Sequence, residues 1–144
     1  MDSQSNPQRR SVLTILVPVY NEEEALTHFF ERIDPVLTQI TDDFGIDVDL
    51  LFTDNCSQDG TKQLLKTFAV SRPYMRIVSF SRNVGFQRSI LTGYRYAIGD
   101  ACVQIDADLE DPPELILEFI KKWREGYQVV YGIRRKRHET AYMR

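Results

Sequence analysis

Apolar residues fall along this chain in two kinds of block. Val12 to Val19 is a continuous, β-branched and nearly uncharged run, and Val48 to Thr53, Arg76 to Phe80 and Ala101 to Ile105 are shorter runs of the same kind. Runs of this sort predict strands buried on both faces. Between them the apolar positions recur at helical spacing. Leu26, Phe29, Phe30, Ile33, Val36, Leu37 and Ile40 mark one helix, opened by Glu22-Glu23-Glu24, kinked at Pro35 and followed by a turn over Thr41 to Gly45. Leu64, Leu65 and Phe68 mark a second helix; Phe86, Ile90, Tyr94, Ala97 and Ile98 a third; Leu115, Ile116, Phe119, Ile120 and Trp123 a fourth. For the fourth, Asp111 is the expected N-cap, with Pro112 at the first helical position and Glu114 completing a capping box. A fifth strand is predicted at Gln128 to Tyr131. Strand alternates with helix throughout, so the predicted fold class is α/β, a doubly wound and mostly parallel sheet.

Polar residues with chemical potential cluster where the first four strands end. A doubly wound sheet gathers those ends on one edge, so four separate loops are expected to converge on one site. Pro18-Val19-Tyr20-Asn21-Glu22 offers an aromatic face for a base and a carboxylate acceptor. Asp54 could accept from a base N–H, whereas Asp59-Gly60-Thr61 reads as a helix cap. Asn83-Val84-Gly85 reads as a tight turn, with Arg82 and Arg88 either near a phosphate or simply solvated. Asp106-Ala107-Asp108 carries two carboxylates that an extended backbone points the same way. Such a pair repels unless something positive lies between, and a hard divalent cation gripping a diphosphate would serve. Asp111 and Glu114 need be no more than turn and capping residues.

Composition narrows the field further. The 144 residues suit one domain, taken as 11–144 behind a polar tail over 1–10 expected to be disordered. A hydrophobic content of 42% with 27% charged residues is that of a water-soluble domain, and a net charge of -3 argues against nucleic acid recognised by bulk charge. No apolar run approaches the roughly 20 residues needed to span a bilayer. Cys56 and Cys102 fit neither a metal-ligand spacing nor a disulfide framework, so a reducing, cytoplasmic setting is expected. The glycine patterns of dinucleotide-binding and phosphate-loop proteins are absent, which disfavours nicotinamide and ordinary ATPase chemistry.

Four motifs in order, Val17-Pro18-Val19-Tyr20-Asn21-Glu22, Asp54 through Thr61, Asn83-Val84-Gly85-Phe86 and Asp106-Ala107-Asp108-Leu109 with Pro112-Pro113-Glu114, resemble family 2 glycosyltransferases of the GT-A fold. More narrowly, they are similar to the polyprenyl-phosphate sugar transferases typified by dolichyl-phosphate mannose synthase. The resemblance covers nearly everything from Val12 to Arg137. It implies an inverting transfer of a sugar from a UDP- or GDP-linked donor to a lipid phosphate, with Mg²⁺ or Mn²⁺. By the same resemblance Pro18, Tyr20, Glu22 and Asp54 hold the nucleoside. Asp106 and Asp108 are the catalytic metal and diphosphate residues, Ala107 contributes backbone, Glu110 completes the metal shell, and Arg134 meets the donor's phosphates. Two departures stand out: relatives often carry two acids where this chain has Asp54-Asn55, and a glycine where it has Cys56. Relatives also continue into an acceptor-binding part, so the chain is expected to be the donor-binding half of a longer protein. The basic run Arg134-Arg135-Lys136-Arg137 would suit the cytoplasmic face of a membrane. A hydroxyl-acceptor transferase making polysaccharide or glycolipid, which would need a catalytic carboxylate beyond Arg144, and a non-catalytic nucleotide-binding domain are the competing readings. The oligomeric state stays open.

Overall fold

The computed structural model describes residues 9–133. They form β1 (Val12–Val19), α1 (Glu23–Phe44), β2 (Asp47–Asp54), α2 (Thr61–Ala69), β3 (Met75–Ser79), α3 (Phe86–Tyr96), β4 (Ala101–Gln104) and α4 (Leu115–Arg124). The strands pair in parallel in the order β3-β2-β1-β4. The chain therefore steps outward from β1 to β3, and α3 then carries it back to the far side of β1. That reversal makes the boundary between β1 and β4 the switch point of the sheet. Because such crossovers are right-handed, it also sends α3 to the face opposite α1 and α2.

The two faces are built differently. Leu13, Ile15, Val17 and Val19 with Leu50 and Phe52 join Leu26, Phe29, Phe30, Ile33, Leu65, Ile116 and Ile120 in one buried cluster. Within it Phe29 meets Phe30 and Phe52 edge-on at 5.5 and 5.8 Å between centroids, and Phe30 stacks on Phe68 at 4.2 Å. The other face carries Thr14, Leu16, Asp49, Leu51 and Thr53, all buried, beneath α3. Here the periodicity misleads. Helix α3 buries Ser89 and Gly93, while Phe86 and Tyr94 of the predicted stripe are exposed; Ala97 and Ile98 lie beyond the helix end. The reason is close approach. Ser89 Oγ donates to Thr53 Oγ1 at 2.9 Å, and a Cβ on Gly93 would lie 2.3 Å from Leu16 Cδ1. Only small residues allow the helix so near the sheet, and the larger ones turn outward.

Helix ends depart from the predictions for equally local reasons. Helix α1 runs past Pro35 and through Thr41 to Phe44, ending on Gly45 in the left-handed conformation at φ 64°. Its last carbonyls are taken up: Arg10 donates to Gly45 O and Thr41 O at 3.0 Å each, and Arg124 to Phe44 O. Arg9 pairs with Asp100, so both arginines at the end of the polar tail are engaged; residues 1–8 lie outside the described ones. Helix α4 starts at Leu115, with Glu114 rather than Asp111 at the N-cap position and no side-chain cap. The N–H groups of Leu115, Ile116 and Leu117 bond three residues back, to Pro112, Pro113 and Glu114, so the first turn is wound tightly. The Glu114 carboxylate instead accepts from Arg32 Nη2 of α1, at 3.0 and 3.2 Å. Gln128 to Tyr131 forms no strand among the described residues. Extended chain becomes a strand only beside a partner backbone about 4.8 Å away. Here Val130 turns toward β4 and α4 while Val129 and Tyr131 stay exposed. No described helix is long and apolar enough to cross a membrane.

Candidate functional site

Each of the four loops at the C-terminal edge of the sheet contains a residue in the left-handed region: Asn21 (φ 52°), Cys56 (φ 61°), Gly85 (φ 87°) and Leu109 (φ 55°). Three of them are not glycine. For a β-carbon-bearing residue that conformation costs roughly 1 kcal/mol, so the surrounding loops must hold it. They do so by stitching the first loop to the second. Asn21 N–H donates to Ser57 Oγ (3.0 Å), Gln58 N–H to Asn21 Oδ1 (2.8 Å), Glu22 N–H to Thr61 Oγ1 (2.8 Å) and Gly60 N–H to Glu23 Oε2 (2.9 Å). Asp59 accepts from Thr61 N–H and Glu23 N–H, capping α2 and α1 together. Burial alone would raise the Asp59 carboxyl, but the Thr61 hydroxyl and these backbone donors outweigh it and hold it below the usual range. The strain at Cys56 yields a prediction: Cys56→Gly raises unfolding stability by about 0.5–1 kcal/mol, read by denaturant titration. A loss would show that the thiol's contacts matter more than its backbone.

The loops enclose a cleft of about 310 Å³ lined by Pro18, Tyr20, Glu22, Asn55, Asn83, Phe86, Ser89, Asp106, Ala107 and Asp108, among others. It opens at the β1–β4 switch point, as the topology requires. The acidic segment is a turn rather than extended strand: Leu109 N–H returns to Asp106 O at 3.2 Å. Ala107 is buried in the core at 3% exposure, which turns Asp106 and Asp108 outward on either side of it. Glu110 N–H donates to Asp108 Oδ1 at 3.1 Å, and Gln104 Nε2 reaches Asp106 Oδ1 at 3.4 Å. Burial raises the Asp106 carboxyl above the ordinary range. The Gln104 hydrogen bond opposes this, and Asp108, Asp111 and Glu110 add to it. Burial raises Glu22 too, with Asp108, Asp106 and Asp59 adding. Glu22 therefore shares one negative field with Asp106 and Asp108.

Of the residues singled out from sequence, Pro18, Tyr20, Glu22, Asp106, Ala107 and Asp108 thus line one cleft. Asp54 lies outside its lining. It is 1% exposed; its Oδ1 accepts from Ser57 N–H at 3.1 Å, and its buried Oδ2 has no partner among the described residues. Arg82 and Arg88 are exposed and do not line the cleft, and Arg134 lies outside the described residues. Cys102 is half-buried, its thiol pushed up to about 11 by burial and by the Asp49 charge, which suits an unreactive position. Sequence reasoning missed Asn55, Phe86 and Ser89 as lining residues. The Asn83-Val84-Gly85 turn was a signal for the first, since Asn55 is bonded to it.

A divalent cation fits this donor set. The carboxylates of Glu22, Asp106 and Asp108 are hard oxygen donors lining one cleft, and Mg²⁺-like ions typically take one or two carboxylates with the rest of the shell from phosphates and water. Among the described residues no three acidic, His or Cys side chains converge as a ready-made metal centre, so Glu110 is not gathered with Asp106 and Asp108 into one.

Known proteins give the site its context. The family model described as glycosyl transferase family 2 matches residues 14–142. The glycosyltransferase YkcC of Bacillus subtilis is 44% identical over 131 residues, covering 91% of this chain and 39% of that protein. The prophage bactoprenol glucosyl transferase homolog of Escherichia coli is 34% identical, covering 87% of this chain and 40% of that one. The chain thus spans about two fifths of the length of these curated relatives. Among solved structures, the mannosyltransferase PcManGT of Pyrobaculum calidifontis, in complex with GDP-Man and Mn²⁺, superposes with a TM-score of 0.62 at 25% identity, over 80% of this chain and 33% of its own. Staphylococcus aureus TarS 1–349 with UDP shares the fold at a TM-score of 0.56 and 19% identity, over 76% and 32%. With the α/β fold, the switch-point cleft and a family match over nearly the whole chain, this protein belongs to glycosyl transferase family 2.

Proposed function

We propose that this chain is the donor-binding part of an inverting glycosyltransferase that moves a hexosyl group from a nucleotide diphosphate to a polyprenyl phosphate. The observation that carries the reading is the carboxylate-lined cleft at the β1–β4 switch point, with an aromatic residue beside it. Asp106 and Asp108 are the residues that would hold Mg²⁺ or Mn²⁺. When bound, such an ion supplies charge neutralisation to the leaving diphosphate. Tyr20 and Pro18 offer the nucleoside a flat apolar wall, Glu22 accepts from a hydroxyl or N–H, Asp54 stands behind as a buried acceptor, and Ala107 contributes backbone. Glu110 would complete the cation's shell and Arg134 would share the diphosphate charge. A lipid phosphate oxygen attacks the anomeric carbon as its bond to the diphosphate oxygen breaks, inverting that carbon. An acceptor already anionic needs no strong general base. The bactoprenol named for one relative supports the lipid acceptor, and the basic run from Arg134 to Arg137 suits an anionic surface at the cytoplasmic face of a membrane.

The test is calorimetric titration of the chain with UDP and with GDP, each with and without Mn²⁺. The expected result is binding of at least one nucleotide that tightens about tenfold or more in Mn²⁺, a difference of about 1.4 kcal/mol. Equal affinity with and without the ion would remove the metal-dependent donor site from this reading.

A further inference from the structure

Charge is divided along this chain more sharply than its total suggests. From Gly60 to Gly99 there is no Asp or Glu, while Lys62, Lys66, Arg72, Arg76, Arg82, Arg88 and Arg95 are all basic. The net charge of -3 is thus +7 on these forty residues set against -10 on the rest. Two of the seven are engaged inside the fold, Arg72 with Asp34 and Arg76 with Asp49. The sheet separates the other five. Lys62 and Lys66 lie on α2, on the side of α1, whereas Arg82 just precedes α3 and Arg88 and Arg95 lie on it, across the sheet.

The outer face of α3 is unlike that of α4. There the exposed Lys121 and Lys122 pair with Glu118 and Glu125, the mixed surface of a solvated helix. Arg82, Arg88 and Arg95 are exposed and enter no ion pair among the described residues. Arg88, Leu91 and Arg95 stand at i, i+3 and i+7, one stripe on the side away from the sheet-packed Ser89 and Gly93. Tyr94 flanks the stripe, and Leu91, Tyr94, Tyr96 and Ile98 are 47–63% exposed. Scattered exposed apolar residues are ordinary. Four of them beside three arginines and no acid make a surface of defined chemistry, one that anionic headgroups over a hydrocarbon layer would match on both counts. The surface also adjoins the cleft. Phe86, the first residue of α3, lines it, and α3 runs back from there toward the start of β4. Tyr94 shares a groove with Asp106 beside β4. A lipid layer lying along α3 therefore brings its headgroups to the rim of the cleft.

We infer that the outer face of α3 seats this chain on an anionic lipid surface, with Arg82, Arg88 and Arg95 at the level of the phosphates and Leu91 and Tyr94 at the acyl boundary. The arginine stems are apolar, so the charged heads can stay among the headgroups while the helix lies flat. The inference rests on the lipid-phosphate acceptor read above, and gives that acceptor a route: its phosphate comes from the layer on which the helix lies. That reading also favours lipid over nucleic acid, to which Leu91 and Ile98 would contribute nothing.

The experiment is co-sedimentation of the chain, at about physiological ionic strength, with vesicles of phosphatidylcholine alone and of phosphatidylcholine with phosphatidylglycerol in equal parts. Three double variants accompany the parent: Arg88→Gln with Arg95→Gln, Leu91→Ser with Tyr94→Ser, and, as a control of equal charge change across the sheet, Lys62→Gln with Lys66→Gln. Circular dichroism melting establishes that each is folded, and Mn²⁺-dependent nucleotide titration reports on the cleft separately. A basic residue near an anionic surface is worth roughly fivefold in partitioning, so the arginine pair should cost about 25-fold on the anionic vesicles, with nucleotide binding unchanged. The Leu91 and Tyr94 pair should cost roughly tenfold, and the lysine control under about twofold. Equal binding to both vesicles, binding to neither, or a lysine control as costly as the arginine pair overturns the inference. Full binding without Arg88 and Arg95 overturns it too, since another segment then carries the chain. A dimer in the absence of vesicles that the Leu91 and Tyr94 pair dissolves would give the face to a second copy instead. If the vesicle results hold but no nucleotide binds the folded parent, the donor-site reading falls alone, and the lipid seat stands without its link to an acceptor. Should the Leu91 and Tyr94 pair not fold, the arginine pair and its lysine control decide.

Discussion

Asp108→Asn is expected to lower nucleotide affinity in Mn²⁺ by about a hundredfold or more, with little change in whatever affinity remains without the ion. The magnitude follows from the role: outer-shell partners of metal ligands cost about 10- to 100-fold when removed, and a directly ligating carboxylate should cost at least the upper figure. Asp106→Asn should behave alike in binding and be informative in stability. Burial first, and then its acidic neighbours, raise the Asp106 carboxyl in the folded state. A raised acid pKa means the folded chain binds that proton more tightly than the unfolded chain does. The ionised side chain is therefore a stability penalty above the folded-state pKa, and the penalty is relieved as pH falls through that value. Asp106→Asn should accordingly melt at or above the parent's temperature at pH 7 and show no such advantage at pH 3. Cation affinity should run the other way with pH. As Asp106 and Glu22 take up protons, the ion must displace them, so its binding weakens toward acid. A variant that lost both binding and thermal stability at pH 7 would mark Asp106 as a structural residue and remove it from the site.

The largest effect on folding should come from a residue far from the cleft. Arg76→Met is expected to cost about 3 kcal/mol, measured by denaturant unfolding, because it strands a buried carboxylate. Asp49 is 4% exposed in β2 and accepts from Arg76 Nε at 2.6 Å, Arg76 Nη2 at 2.7 Å and Thr14 Oγ1 at 2.6 Å. The figure lies at the low end for broken buried pairs, since the Arg76 side chain is 34% exposed and water reaches that side. The pair does more than neutralise itself. Arg76 Nη2 also donates to Tyr96 O at the end of α3, and Thr14 Oγ1 accepts from Ile98 and Gly99 N–H at 3.2 and 2.9 Å. One polar chain thus runs from β3 through β2 and β1 to the connection that delivers β4, and with β4 the Asp106 loop. Gly99 sits where a Cβ would come within 2.5 Å of Thr14 N and Ala101 O, so the connection lies directly on strand backbone. Replacing both charges, as Asp49→Leu with Arg76→Met, should recover most of the loss, because well-packed apolar pairs often match a buried ion pair. Should the single change cost under about 0.5 kcal/mol, water must be solvating Asp49 in place of the arginine.

Much of this architecture is written in local pattern. The continuous apolar runs are sufficient for four parallel strands, because only a sheet covered on both faces buries every side chain of a strand. The alternation of strand and helix, together with where Tyr20, Glu22, Asp106 and Asp108 fall relative to strand ends, was likewise enough to bring those residues to one edge. Asp106-Ala107-Asp108 was assigned outward carboxylates for a reason that held only in part: the segment is a turn, and it is burial of Ala107 that turns its neighbours out.

What pattern could not supply depends on distances between segments. Phe86 and Tyr94 of α3 face out because Gly93 and Ser89 bring the helix down onto Leu16 and Thr53, a close approach that exists only once both are placed. Helix α4 starts at Leu115 rather than just after Asp111, behind a tightly wound turn, and Glu114 pairs with Arg32 of α1, a partner 82 residues away. Gln128 to Tyr131 has a strand's spacing but no partner backbone beside it among the described residues. Asn55 is the plainest instance. In sequence it is a departure from an acidic pair; in the fold it is the clasp on Asn83, 28 residues away. Hydrophobic period and strand-end chemistry are properties of neighbours in the chain, so the sequence by itself determined the fold class and most of the cleft. Hydrogen-bond direction, close packing and shared charge are properties of neighbours in space, and only the tertiary structure decided those.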